Sequence, residues 1–131
     1  MEKRQVGRTD LAISRLGLGC VTLGREIDED TSYSLLDYAV HSGINWFDTA
    51  EAYGGGNARE YRRVVLGADD EREVSGEVGS SEKVLGRWLR ARECRSEVLI
   101  CTKVSTGNRP ENIRRALGIS LERSQTDYID I

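Results

Sequence analysis

Short apolar runs alternate along this chain with longer segments whose apolar residues recur every three or four positions. Leu16-Gly17-Leu18-Gly19-Cys20 is the first such run and predicts a buried strand, its glycines suiting close backbone approach. Asp28 is placed to cap a helix over Asp30 to His41, with Glu29 and Asp30 favourable near its positive end. Tyr33, Leu36, Ala39 and Val40 form its apolar stripe, and Gly43 stops it. Ile44 to Asp48 predicts a second strand. A second helix starts near Ser80 or Ser81 and runs to about Arg92, burying Val84, Leu85, Trp88 and Leu89. Val98 to Thr102 predicts a third strand. Pro110 suits the first turn of a third helix, with Ile113, Ala116, Leu117 and Leu121 on one face. Tyr128 to Ile131 begins a fourth strand. Ahead of all this, Lys3 to Val6 and Leu11 to Ser14 flank a Gly-Arg-Thr-Asp turn signal and predict a short hairpin.

The sum is βαβαβαβ after a hairpin. Near-continuous apolar strands separated by amphipathic helices mean a parallel sheet covered by helices. A doubly wound sheet and a (β/α)8 barrel both fit, and the alternation does not choose between them. A full barrel takes roughly 250 residues, so a chain of this length holds about half of one. A terminus inside an apolar strand leaves a sheet edge of unpaired backbone groups, the expectation for a partial chain. Residues 57–79 form a polar insert after the second strand, with the run Asp69-Asp70-Glu71-Arg72-Glu73. It is too long for a usual strand-to-helix connection. It reads as a solvated excursion, or as a lid or specificity loop, because it leaves from the strand mouth that carries Asp48 and Tyr53.

Composition narrows the function classes. The 131 residues, 38% apolar and 31% charged, make one domain or part of one, ordinary for a soluble cytoplasmic protein. The net charge of −3 supplies no basic field, which argues against nucleic acid or an anionic membrane as partner. No apolar run approaches the roughly 20 residues of a membrane helix, and Met1 to Gln5 leads into no signal-like stretch. Cys20, Cys94 and Cys101 are odd in number and lack metal-ligand spacing. They are expected to be small reduced residues in or near the core, the alternative for Cys20 being a place close to a bound ligand.

The chemistry gathers at the strand mouths. Asp48 ends the second apolar run, Tyr53 follows five residues later beside three glycines, and Lys103 ends the third run. In parallel α/β folds the C-terminal edge of the sheet is where active sites gather. Hydride delivery to a carbonyl builds negative charge on oxygen, and a proton donor there lowers the barrier. A free tyrosine titrates near pH 10, and a neighbouring ammonium favours its phenolate. The inferred chain is Tyr53 as donor, Lys103 tuning it, and Asp48 holding Lys103. Taken singly, Asp48 reads as a loop-anchoring acid, Lys103 as a solvated strand end and Tyr53 as turn packing. Their common register favours chemistry.

These segments resemble the aldo-keto reductase family. The stretch from Leu11 to Gly19 is similar to the family's opening, and Gly43-Ile44-Asn45-Trp46-Phe47-Asp48-Thr49-Ala50 with Tyr53-Gly54 is similar to its best-known signature. Ser81 to Gly86, Thr102-Lys103 and the run from Ser120 to Asp130 resemble later family segments. The resemblance implies the N-terminal half of a (β/α)8 TIM barrel over residues 1–131, with about four parallel strands and three helices. It implies reduction of a small-molecule aldehyde or ketone with NADPH (or NADH) by the whole protein, this chain alone being inactive. A non-catalytic NADPH-binding subunit like the potassium-channel β subunits is the alternative. Asp48, Tyr53 and Lys103 match three members of the family's catalytic tetrad. The fourth, a histidine, is expected beyond Ile131, and His41 at a helix C-terminus faces the other end of the barrel. Gly19, Cys20, Val21 and Asp48 match cofactor-contacting positions, and no residue matches a metal ligand. Ser124 stands where the family usually has an apolar residue.

Overall fold

The computed structural model describes residues 1–55, 57–67 and 74–131. The acidic run 69–73 of the insert lies outside them. The hairpin forms as expected from β1 (Lys3–Gln5) and β2 (Ala12–Ser14), paired antiparallel. A three-stranded parallel sheet follows, in the order β3 (Leu18–Gly19), β4 (Trp46–Asp48), β5 (Leu99–Cys101). Gly19 sits opposite Asp48, and Asp48 opposite Cys101, so three successive strand mouths are level. Asn45 bolts the hairpin to the opposite end of β4. Its side-chain amide donates to Ala12 O at 2.9 Å and its Oδ1 accepts from Ser14 N at 2.7 Å.

Helix α1 (Glu29–His41) begins at Asp28, whose carboxylate accepts from Thr31 N at 2.8 Å. It packs on the sheet with α3 (Ser80–Arg92). Between them lies the core: Leu36 and Ala39 from α1, Phe47 and Ile100 from the sheet, Val84, Leu85 and Trp88 from α3. Trp88 meets Phe47 edge to face at 5.7 Å. Each of these large side chains contributes about 1.5–3 kcal/mol by leaving water. The polar rims of the two helices also match. Asp37 accepts from Trp88 Nε1 at 2.8 Å and pairs with Arg92, while Arg87 forms a two-pronged bond with Glu29 at 2.8 and 2.9 Å.

Three expectations need correction. The insert holds a fourth helix, α2 (Asn57–Leu66). Tyr61, Val64 and Val65 stand at helical spacing, but they lie among Arg59, Glu60, Arg62 and Arg63, and all three are exposed, so among the described residues the helix has no buried apolar stripe. The face expected on α4 (Pro110–Arg123) holds only in part. Ala116 is buried as expected, but Ile113 and Leu117 are 43% exposed, and Ser120 and, just past the helix, Ser124 are buried in their place. These small residues fall at every fourth position and let α3 approach closely. At Gly86 of α3 a Cβ would lie 2.5 Å from Arg123 O, so any larger residue would push the two helices apart. Finally, residues 128–131 do not form a fourth ladder strand. The amides of Asp130 and Ile131 both converge on Ile100 O, at 3.1 and 3.2 Å. The Asp130 carboxylate takes Ile100 N at 2.8 Å, the bond a neighbouring strand carbonyl would make, while Arg95 takes Tyr128 O at 2.9 Å. The parallel sheet thus has three ladder strands and is open, as half a barrel is expected to be.

Candidate active site

The segment after β4 turns at once, with Tyr53 N bonded to Ala50 O at 3.0 Å, and this returns the phenol over the strand mouth. Gly54 (φ 132°) continues the turn where a Cβ would meet Ser80 N at 2.5 Å. Lys103 lies two residues past β5. Its Nζ donates to Asp48 Oδ1 and to Thr49 O, each at 2.6 Å, and sits 4.5 Å from the centre of the Tyr53 ring. Partial burial works against the ammonium. Hydrogen bonds to Asp48 and Tyr53 outweigh it, so Lys103 is held above its ordinary value. Asp48, Tyr53 and Lys103 thus come together from two loops and one strand end. The ammonium is half-exposed, so its pairing with Asp48 acts more on geometry than on stability.

The remaining predicted positions divide. Gly19 is exposed, and nothing lies within 4 Å of where its Cβ would be, so the face beside Asp48 stays flat and open. Val21 is 36% exposed at the same rim. Cys20 is turned into the core, its N–H and carbonyl already bonded to Asp48 O and the Ser81 hydroxyl. Burial, helped by the Asp48 charge, pushes its thiol up to about 12 against the opposing pull of Lys103. Cys101, half-buried beside Asp48, is raised for the same two reasons. His41 is exposed in the last turn of α1 and stands apart from this group, as expected.

Sequence reasoning gave no role to the groups beneath the site. The first turn of α3 points a row of polar side chains at the strand mouths. Ser80 Oγ donates to Leu23 O at 3.0 Å, and Ser81 Oγ donates to Cys20 O at 2.6 Å while sharing a 2.8 Å bond with Thr49. Glu82 is fully buried, accepting from the Thr102 hydroxyl at 2.7 Å and from Arg123 at 3.1 Å. A buried carboxylate is tolerated when a counter-charge and hydrogen bonds satisfy it. The signal available was Ser80-Ser81-Glu82 itself, three polar residues at the head of an otherwise apolar stripe. Behind this layer a cleft of about 280 Å³ opens between Glu51, Gly79 and Thr106 with Arg123 in its wall. None of Asp48, Tyr53 and Lys103 lines it.

The arrangement offers a phenol hydroxyl with a fixed cation beside its ring, on an open rim. That set can donate a proton and stabilise the charge left behind. Among the described residues no helix is long and apolar enough to cross a membrane.

The model of the Aldo/keto reductase family matches residues 15–131. Protein tas of Escherichia coli (strain K12) is 34% identical over 144 residues, across all of this chain and 37% of that protein. The protein named uncharacterized oxidoreductase YrpG, of Bacillus subtilis (strain 168), is 34% identical over 145 residues, across all of this chain and 39% of its own length. An aldo-keto reductase from Bacillus halodurans, solved in its holo form, superposes with a TM-score of 0.69 at 32% identity, over 98% of this chain and 38% of that one. The chain therefore spans well under half the length of the relatives it matches.

Proposed function

The chain belongs to the aldo-keto reductase family, and from that premise we propose that the whole protein reduces a small-molecule aldehyde or ketone to an alcohol with NADPH or NADH. One observation carries the reading: Lys103 Nζ lies 2.6 Å from Asp48 Oδ1 and 4.5 Å from the centre of the Tyr53 ring. The residues present also fit one edge of a nicotinamide group. Gly19 leaves open space level with Asp48, and Val21 supplies a partly exposed apolar rim. Gly19, Val21 and Asp48 would hold that edge, while Cys20, being buried, fixes the strand mouth from beneath.

The reduced nicotinamide, when bound, supplies the hydride that goes to the carbonyl carbon. Tyr53 gives its hydroxyl proton to the carbonyl oxygen, so the C=O bond becomes an alcohol. The Lys103 ammonium stabilises the phenolate oxygen until solvent returns the proton. Asp48 and Thr49 O keep the ammonium in place. The protein works in the cytoplasm, and the 131 residues alone support no turnover, because one flank of the site is all they supply.

Tyr53→Phe in the full-length protein is expected to remove most carbonyl-dependent NADPH oxidation while leaving cofactor affinity, read by fluorescence titration, near wild type. Undiminished turnover would show that Tyr53 is not the donor.

A further inference from the structure

Beyond β5 the chain leaves the sheet, and the backbone of residues 103–106 runs along an exposed rim. Its contacts to the Tyr53 loop converge on one residue. Glu51 N donates to Lys103 O at 3.0 Å. Glu51 Oε2 accepts from Ser105 N at 2.8 Å, Thr106 N at 3.2 Å and the Thr106 hydroxyl at 3.3 Å. Glu51 O accepts from Arg123 at 3.1 Å, and Arg123 is anchored in turn on buried Glu82. Glu82 also holds Thr102, which precedes Lys103, so the circuit closes on itself. Glu51 thus grips the segment at Lys103 and again at Ser105 and Thr106, while standing two residues from Tyr53.

We propose that Glu51 is a positioning residue that clamps the Lys103 segment against the loop carrying Tyr53, and so sets the stacking of the ammonium on the phenol ring. The side-chain bond of Lys103 to Asp48 and the backbone bond of Lys103 O to Glu51 N hold the chain at residue 103 but leave the main chain of residues 104–106 free to swing. Glu51 removes that freedom. An acceptor bonded to two consecutive N–H groups and a hydroxyl defines a loop far more tightly than one flexible lysine can. The consequence for catalysis rests on the proposed role of Tyr53, but the clamp itself does not.

The test is proton and ¹⁵N NMR of the full-length protein. In the wild type the Lys103 ε-methylene protons are expected to show an upfield ring-current displacement and a nuclear Overhauser contact to the Tyr53 ring. In Glu51→Ala that contact and displacement are lost, and the Ser105 and Thr106 amides exchange about tenfold faster. Amides in α1 and α3 keep their wild-type protection. Glu51→Gln, which retains an acceptor oxygen, restores most of the contact. A Lys103–Tyr53 contact that persists in folded Glu51→Ala overturns the proposal, as does Glu51→Gln losing it as fully as Glu51→Ala. Should Glu51→Ala not fold, Glu51→Met, of similar length without an acceptor, is read by the same criteria. No arm of this experiment involves turnover, so its failure is separate from a failure of the Tyr53 assignment.

Discussion

Replacing Glu82 tests whether the site rests on a buried ionic layer. Glu82 is fully buried and Arg123 nearly so, at 17% side-chain exposure, and their 3.1 Å contact is the support on which Thr102 and Glu51 also lean. Glu82→Gln keeps an oxygen for the Thr102 hydroxyl but turns an amide toward the guanidinium and removes its counter-charge. Leaving one buried charge uncompensated costs about 3–5 kcal/mol. Arg123 retains its bond to Glu51 O and some access to water, so the lower end, about 3 kcal/mol, is expected. That is roughly a 150-fold fall in the folding constant, and with a urea m-value of about 2 kcal/mol/M it moves the midpoint down by about 1.5 M. Urea titration followed by tryptophan fluorescence, to which buried Trp88 of α3 contributes with Trp46, reads this directly. The double variant Glu82→Leu with Arg123→Met removes both charges and should recover most of the loss, because a buried pair gains little over well-packed apolar side chains. A shift below about 0.5 M in Glu82→Gln, or a double variant as unstable as the single one, would refute the view that pairing with Arg123 is what makes the buried carboxylate tolerable.

Other outcomes follow from single contacts. Ser124 is fully buried and its Oγ has no hydrogen-bond partner, so Ser124→Ala should raise stability by about 1 kcal/mol, seen as a higher thermal midpoint. Gly86→Ala should lower it by about 1–3 kcal/mol, because the new Cβ would lie 2.5 Å from Arg123 O, which is main chain and cannot swing aside. Timed alkylation should label Cys101 well before Cys20, whose buried thiol is pushed up to about 12 and should react only on global unfolding. Glu29 and Asp37 are held below the ordinary carboxylate range by Arg87 and Arg92. A depressed carboxylate stabilises the fold fully above its unfolded value, about 4, and that contribution vanishes as pH falls through the lowered folded value. Chemical denaturation at a series of pH values should therefore show stability falling on the acid side of about 4, with a shallower slope in Asp37→Asn.

The sequence by itself determined the elements whose signals are local. The Asp28 cap, the stripes of α1 and α3, and the apolar runs ending in Asp48 and Lys103 each follow from side chains a few residues apart. That is why Asp48, Tyr53 and Lys103 were legible as one set before any contact was known. Tertiary structure decided whatever depends on how closely two elements approach. Gly86 lets α4 come so near α3 that small residues, not Ile113 and Leu117, form its buried face. The Asp130 side chain takes the backbone bond that would otherwise begin a fourth ladder strand. Cys20 turns inward from the rim, and Glu82 becomes acceptable in the core only because Arg123, 41 residues away, reaches it. Patterns of polarity record which side of an element faces inward. They carry no record of distance, and distance decides whether a buried charge is paired, a strand is extended, or a lysine rests on a phenol ring.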